Sequence, residues 1–476
     1  MTYQQVIHFF LQSVSLLMSS LHAAVYTLPD AAPDEPARHG STSQEVHTMN
    51  QADIAWMLVS TALVLLMTPA LAFFYGGLVR SKNSLNTMMM SFVSLGAVGV
   101  LWALLGYSLA FAPGGAFLGG LDHALLRGVN LEAKGTIPHV LFMCFQGTFA
   151  IITAALISGA IVERMRFSAY LVFISLWTLF VYSPICHWVW ASDGWLFTWG
   201  ALDFAGGTVV HVNAGVAAFV AAVVLGPRKD YARQAFLPHN VPFALLGAGL
   251  LWFGWFGFNA GSALGATPAA ALAFATTMLA PAAALVVWTL LDLMRNGKVT
   301  AVGAATGIVV GLVAITPAAG HISPISALLL GGIAAIPSYY ALVFRARTRL
   351  DDSLDVVAAH GVGGTVGALL TGVFSEKAWS GVADGLLFGN PGQLGIQAVA
   401  VGATILYSGA VTFGLLKLVG LLVPLRAEAT DEGLGMDVTQ HGEEAYMDGE
   451  GAILVLHERE AVVSPALASA AAGGRS

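Results

Sequence analysis

Between residues 50 and 425 the chain alternates long apolar stretches with short polar breaks. A bilayer core is about 30 Å thick and takes about 20 apolar residues per helix. Stretches of that length fall near residues 53–79, 84–111, 137–161, 167–189, 204–226, 240–260, 269–293, 299–317, 322–344, 354–374 and 395–424, predicting eleven transmembrane helices. Ahead of them, an apolar run from Val6 to Val25 is interrupted by Gln12, serines and His22. It lacks the charged start of a signal peptide, yet Ala23 and Ala24 suit a cleavage site. A signal peptide over residues 1–24, an extra helix and a start codon placed upstream all stay open. Residues 25–51 read as a polar linker, 52–424 as the membrane domain and 425–476 as a polar tail inside the cell.

Composition agrees with an all-α integral membrane protein. The 476 residues are 57% hydrophobic and 10% charged, against about 25% charged in soluble domains; mean hydropathy is +0.76. The 54 glycines suit close helix contacts. A net charge of -7 without a basic patch gives no sign of nucleic-acid binding. Cys144 and Cys186 form no metal pattern and read as two buried thiols. No phosphate loop, nucleophile elbow or zinc-protease motif occurs, so the chain does not read as an enzyme, and no cofactor is implied.

Lysine and arginine set the orientation. One set of loops carries Arg80, Lys82, Arg164, Arg166, Arg228, Lys229, Arg233, Arg295, Lys298, Arg345, Arg347 and Arg349; the other carries Arg127, Lys134 and Lys377. The richer set is read as cytoplasmic, which puts the amino terminus outside and the tail inside. Spans one to five and six to ten then enter from opposite sides, as in an inverted repeat, with an eleventh helix after them.

Each half ends in a span containing a histidine, His211 and His360. An ionisable residue inside an apolar span is costly and marks a candidate functional site. His211 lies eight residues after Asp203, about 12 Å along a helix, and His360 lies nine after Asp351, about 13.5 Å from the other side. Both reach the midplane, where inverted-repeat transporters bind substrate. Gly207 and Gly215 share a helical face with His211, and Gly364 and Gly367 share one with His360, so the two helices can approach closely. Asp203 falls about 80° from the histidine's face and reads first as a helix cap, with an added electrostatic role towards an arriving cation left open. Asp355, about 140° from His360, reads as structural at its helix start. Trp188, Trp195 and Trp199 suit an interfacial belt.

The stretch from Asp203 to Gly215 resembles the signature of the ammonium transporter (Amt/Mep/Rh) family, in its bacterial Amt form. Blocks at Phe73 to Arg80, Phe145 to Ala150, Glu163 to Phe167, Trp252 to Ser262, around His360, and Glu432 to Tyr446 follow in the family's order, covering roughly residues 50–447. The resemblance implies a homotrimer of eleven-helix subunits, each with its own pore, in the inner (cell) membrane. It implies an outer ammonium site at Phe149, Trp190 and Ser262, with Asp203 recruiting the cation. It further implies a phenyl gate of Phe149 and Phe258, pore-lining aromatics Phe145 and Trp255, and paired pore histidines His211 and His360. A PII-type signal protein at the cytoplasmic face is the implied partner.

Elementary chemistry agrees with these roles. An ammonium ion over aromatic faces gains about 2 kcal/mol or more when desolvated, and a serine hydroxyl can accept one of its hydrogens. Ammonia crosses an apolar pore more cheaply than the charged ion, and an imidazole can relay the proton. Two features depart from the family pattern. The loop Ala191-Ser192-Asp193-Gly194-Trp195 is one residue longer than the usual glycine-rich one, which makes Trp188 a competitor for Trp190, and Asp193 reads as a solvated loop acid. The stretch after Tyr446 is longer than the motif and reads as disordered. A sensor of ammonium is a competing reading, which the lack of an appended kinase-like output domain disfavours. A channel for another neutral gas is a third, which the cation site disfavours.

Overall fold

The computed structural model describes residues 48–446; the readings of residues 1–24, of the linker up to residue 47 and of the stretch after Tyr446 lie outside it. The described chain is a bundle of long helices with two minor two-stranded ribbons, Gly114–Gly115 with Leu118–Gly119 and Ala133–Lys134 with Ile137–Pro138. Helix α1 is Gln51–Leu78, and the Asn50 side chain caps it by accepting from the Ala52 and Asp53 amides at 2.9 and 3.3 Å. The second span runs as α2 (Ser84–Leu101), a π-helical turn (Trp102–Gly106) and a last turn (Tyr107–Phe111). Then come α3 (His139–Ser158), α4 (Phe167–Trp177, continued through a π turn to Ser183–Trp190) and α5 (Gly207–Leu225). The second half comprises α6 (Val241–Gly261), α7 (Pro268–Asn296), α8 (Ala301–Ile315), α9 (Pro324–Arg345), α10 (Val357–Phe374) and α11 (Pro391–Leu422). Among the described residues ten helices are long and apolar enough to cross a bilayer. The 15 residues of α8 reach only about 22 Å at 1.5 Å per residue.

Helix α3 is enclosed by its neighbours, with 89% of its apolar window buried, whereas α11 is 28% buried and leaves an apolar flank exposed. That contrast follows from its sequence, which keeps phenylalanines, threonines and small residues all round rather than one polar face. The first turns of α5 and α10 are π-helical, Gly207–Val212 and Val357–Val362. An added residue per turn rotates the side chains that follow, a geometry common at functional sites. The two helices touch at glycine: a Cβ on Gly215 would run into the Gly361 backbone, and one on Gly364 would lie 2.9 Å from His211 Cβ.

The basic loops gather at one end of the bundle, here termed inner, and several of their arginines are paired with acids. Glu163 accepts from Arg80 Nε at 3.1 Å, Asn83 Nδ2 at 2.8 Å and Arg228 Nη1 at 2.6 Å. Burial alone would raise its carboxyl, but Arg228 and Arg80 more than offset this and hold it at about 2. Arg228 also forks onto Asp351 through Nε and Nη2, each at 2.8 Å. The tail docks on the same end through α12 (Ala429–Leu434) and α13 (Met436–His441). Two helix starts exchange caps there. Asp437 accepts from the Leu85 and Asn86 amides of α2 at 3.0 and 2.7 Å, and Asn83 Oδ1 accepts from the Met436 amide at 2.8 Å.

Two expectations about side chains fail. Cys186 is buried but Cys144 is exposed, because α3 turns that position outward between the buried Met143 and Phe145. Trp188 is no belt residue: it is buried, donates to the Phe117 carbonyl at 2.8 Å and packs on Tyr407 with ring centroids 4.7 Å apart. Trp199 is exposed, as a belt residue would be.

Candidate functional site

Three cavities lie in series. The outer one has a volume of about 580 Å³, and its wall includes Gln146, Phe149, Trp190, Asp203 and Ser262. Trp190 ends the fourth span, where its indole donates to the Asp203 carbonyl at 2.9 Å. Its ring stands edge-on to Phe149, with centroids 5.7 Å apart and planes at 88°. Ser262 follows α6 and donates back to the Phe258 carbonyl at 2.8 Å, leaving its oxygen lone pairs free to accept.

Phe149 and Phe258 close the floor of this cavity. Their centroids are 4.2 Å apart with planes 33° from parallel. Beneath them lies a space of about 20 Å³ lined by Phe258, Trp255, His211 and His360 among apolar side chains. A cavity of 10–15 Å³ holds roughly one water-sized molecule, so this space has room for about one small molecule. Trp255 stacks on His211 with centroids 5.4 Å apart and is fixed by its indole on Thr316 Oγ1 at 2.9 Å. His211 Nδ1 and His360 Nδ1 face each other at 3.2 Å. His360 also lines the inner cavity of about 280 Å³, with Arg80, Glu163, Arg228, Arg345 and Asp355 around it.

Asp203 is the helix cap that its place in the sequence suggests, and its carboxylate is not aimed at the outer cavity's centre. Oδ1 accepts from the Gly206 and Gly207 amides at 2.8 and 2.5 Å, and Oδ2 accepts from the Thr208 and Val209 amides at 2.8 and 3.2 Å and from the Thr208 hydroxyl. The residue caps α5 and touches the site through its carbonyl. The 80° count assumed a continuous helix, which the irregular backbone at residues 204–206 breaks. Phe145 lines none of the three cavities. It packs edge-on behind Phe149 at 4.9 Å. Trp188, the competitor of Trp190, points away into its own aromatic cluster.

Asp355 stands at the start of the second histidine helix in a structural role, and the cap of that helix is Asp352. Asp352 accepts from the Val356 and Val357 amides at 3.1 and 2.7 Å. It precedes His360 by eight residues, as Asp203 precedes His211, and that equal spacing was the available signal. Burial, reinforced by the Asp355 charge, pushes the Asp352 carboxyl up to about 7, against the pull of the Val357 amide. Asp355 has a left-handed backbone, φ 60°, and lies 2.7 Å from Arg345 Nε. At the outer rim, burial lowers His321 to about 4, so its ring is neutral. Among the described residues no cluster of three or more potential metal ligands occurs.

The Ammonium Transporter Family profile matches residues 55–446, a span that holds every residue of this path. The chain belongs to the ammonium transporter family. A Bacillus subtilis ammonium transporter is 48% identical over 406 residues, 84% of this chain and 100% of that one. Among solved structures, Saccharomyces cerevisiae Mep2 superimposes with a TM-score of 0.78 at 35% identity, covering 85% of this chain and 93% of its own. A structure described as a sensor Amt protein gives a TM-score of 0.77 at 29% identity, covering 82% and 98%. As a member of the ammonium transporter family the chain is a multi-pass transporter and not an enzyme.

Proposed function

We propose that this protein takes ammonium from outside at Phe149, Trp190 and Ser262, removes its proton near the phenyl pair, and conducts ammonia past His211 and His360. The observation that carries this reading is the order of the parts: an aromatic and hydroxyl cage, a floor of two tilted phenyl rings, a one-molecule space, and two facing imidazoles of which His360 lines the inner cavity. Aromatic faces attract a cation by about 2 kcal/mol or more once it is desolvated. The phenyl floor and the apolar space below disfavour a full charge. Ammonium can leave its proton and continue as ammonia, whereas potassium cannot and is refused. Asp203 supports the cage by holding the start of α5 and the Trp190 indole rather than by touching the ion.

The proton's course runs along the histidine pair, since each neutral ring has one donor and one acceptor nitrogen. The wider frame of the proposal is eleven spans, amino terminus outside and tail inside, in the cell membrane, with two inverted five-helix halves. The subunits form a homotrimer, and a PII-type protein meets the inner face, where the docked tail lies.

Uptake of methylammonium in cells lacking their own ammonium transporters tests transport itself. The expected result is that the chain restores saturable uptake and that Trp190→Leu raises its half-saturation concentration. A well-expressed, membrane-inserted chain with no uptake would instead favour the sensor reading, which the similarity to a sensor Amt protein keeps in view.

A further inference from the structure

His187 is buried inside the outer end of the fourth span, three residues before Trp190, with no exposed surface. Its Nδ1 lies 2.9 Å from the Ala110 carbonyl and its Nε2 lies 2.7 Å from the Gly115 carbonyl. Carbonyl oxygens only accept. A neutral imidazole has one donor and one acceptor nitrogen, so it would point a lone pair at one of these oxygens. Only the imidazolium, with hydrogens on both nitrogens, satisfies the two contacts. Ala110 belongs to the last turn of the second span, whose free carbonyls favour a cation. A buried cation needs a counter-ion, and Asp193 Oδ1 lies 3.7 Å from Nε2. Asp193 is therefore no idle solvated acid. Its Oδ2 accepts from the Gly114 amide at 3.0 Å.

From this geometry we infer that His187 is a buried imidazolium neutralised by Asp193, and that the pair positions Trp190 and sets the charge beneath the ammonium site. The inference rests on the reading of Trp190 as part of that site. The pair brackets Trp190 in sequence. It also ties the loop after Trp190 to the ribbon at residues 114–119, which carries no ionisable side chain; its carbonyls and amides meet His187 and Asp193. Asp193 has a second effect. Without it, an uncompensated positive charge would lie beside a site meant for a cation, and the site would repel its substrate.

The test joins a spectrum to a charge-balanced pair of variants. In ¹⁵N-histidine-labelled protein in membranes at neutral pH, the signals absent from His187→Gln report two protonated ring nitrogens. One protonated and one bare nitrogen would overturn the charge assignment whatever transport does. In methylammonium uptake, Asp193→Asn raises the half-saturation concentration by roughly three- to tenfold at unchanged maximal rate. The double variant His187→Gln/Asp193→Asn, with both charges gone, returns towards the wild-type value. A double variant as impaired as Asp193→Asn would overturn the charge role and leave Asp193 as a loop anchor. Trp190→Leu separates this inference from the site reading: an unchanged half-saturation concentration there removes the ammonium site but leaves the spectrum standing.

Discussion

His360 Nδ1 and His211 Nδ1 stand 3.2 Å apart inside the bundle, each on the π-helical first turn of its helix. One of these nitrogens must carry the hydrogen and the other must be bare. When this hydrogen crosses, a proton taken up at the bare Nε2 of the donating ring and one released from the Nε2 of the receiving ring leave both rings neutral with their tautomers exchanged, so the pair can hand a proton along. Removing one ring strands the other. His211→Ala and His360→Ala are each expected to cost about 1–3 kcal/mol of stability through the unmet nitrogen. A double-mutant cycle by thermal unfolding in detergent should show coupling of at least about 0.5 kcal/mol; additive effects would mean the rings ignore each other.

Asp203 gathers four backbone amides and one hydroxyl. Losing a single helix cap costs about 0.5–2 kcal/mol, and this one also sets the carbonyl that receives the Trp190 indole. Asp203→Ala should therefore lower the melting temperature and weaken methylammonium uptake together. An uptake defect at wild-type stability would point to a direct role for the carboxylate.

Asp352 gives a pH signature. Its carboxyl rises from 3.8 to about 7 on burial, so the folded protein holds this proton more tightly than the unfolded chain. The stability it contributes is complete below about pH 4 and is lost as pH rises towards 7. Melting curves between pH 5 and 8 should fall with pH more steeply for wild type than for Asp352→Asn, whose amide copies the protonated acid's shape. Parallel curves would refute the assignment.

Helix contact at Gly215 sets the histidine distance. Gly215→Val would drive a side chain into the Gly361 backbone, and overpacking of this kind costs about 1–3 kcal/mol. Gly402 on α11 has open space where a Cβ would go, so Gly402→Ala should be neutral or stabilising by up to about 1 kcal/mol. Unfolding measurements on the two variants check the contrast.

The spans were legible because hydropathy acts over some twenty residues and tolerates local error; expected and observed boundaries differ by a few residues. The histidine pair was legible because two buried imidazoles are rare and their glycine neighbours are telling. The π turns were not, since they arise from how α5 and α10 pack, and neither was the irregular backbone at residues 204–206 that separates Asp203 from the helix of His211. Trp188 and Trp199 look alike in sequence; only the ribbon at residues 114–119 and Tyr407 decide that one is buried. The partner of His187 was hidden for the same reason. Ala110 and Gly115 contribute backbone carbonyls, which leave no mark on the pattern of side chains.

The central claim is that the paired histidines carry the proton that ammonium sheds and that potassium does not have. The most direct measurement applies pulses of ammonium and of potassium to proteoliposomes while recording current and internal pH, for wild type and for His211→Ala/His360→Ala. The account predicts a wild-type response to ammonium and none to potassium, and a double variant that either falls silent or admits both ions. A double variant with unchanged response and unchanged selectivity would contradict it.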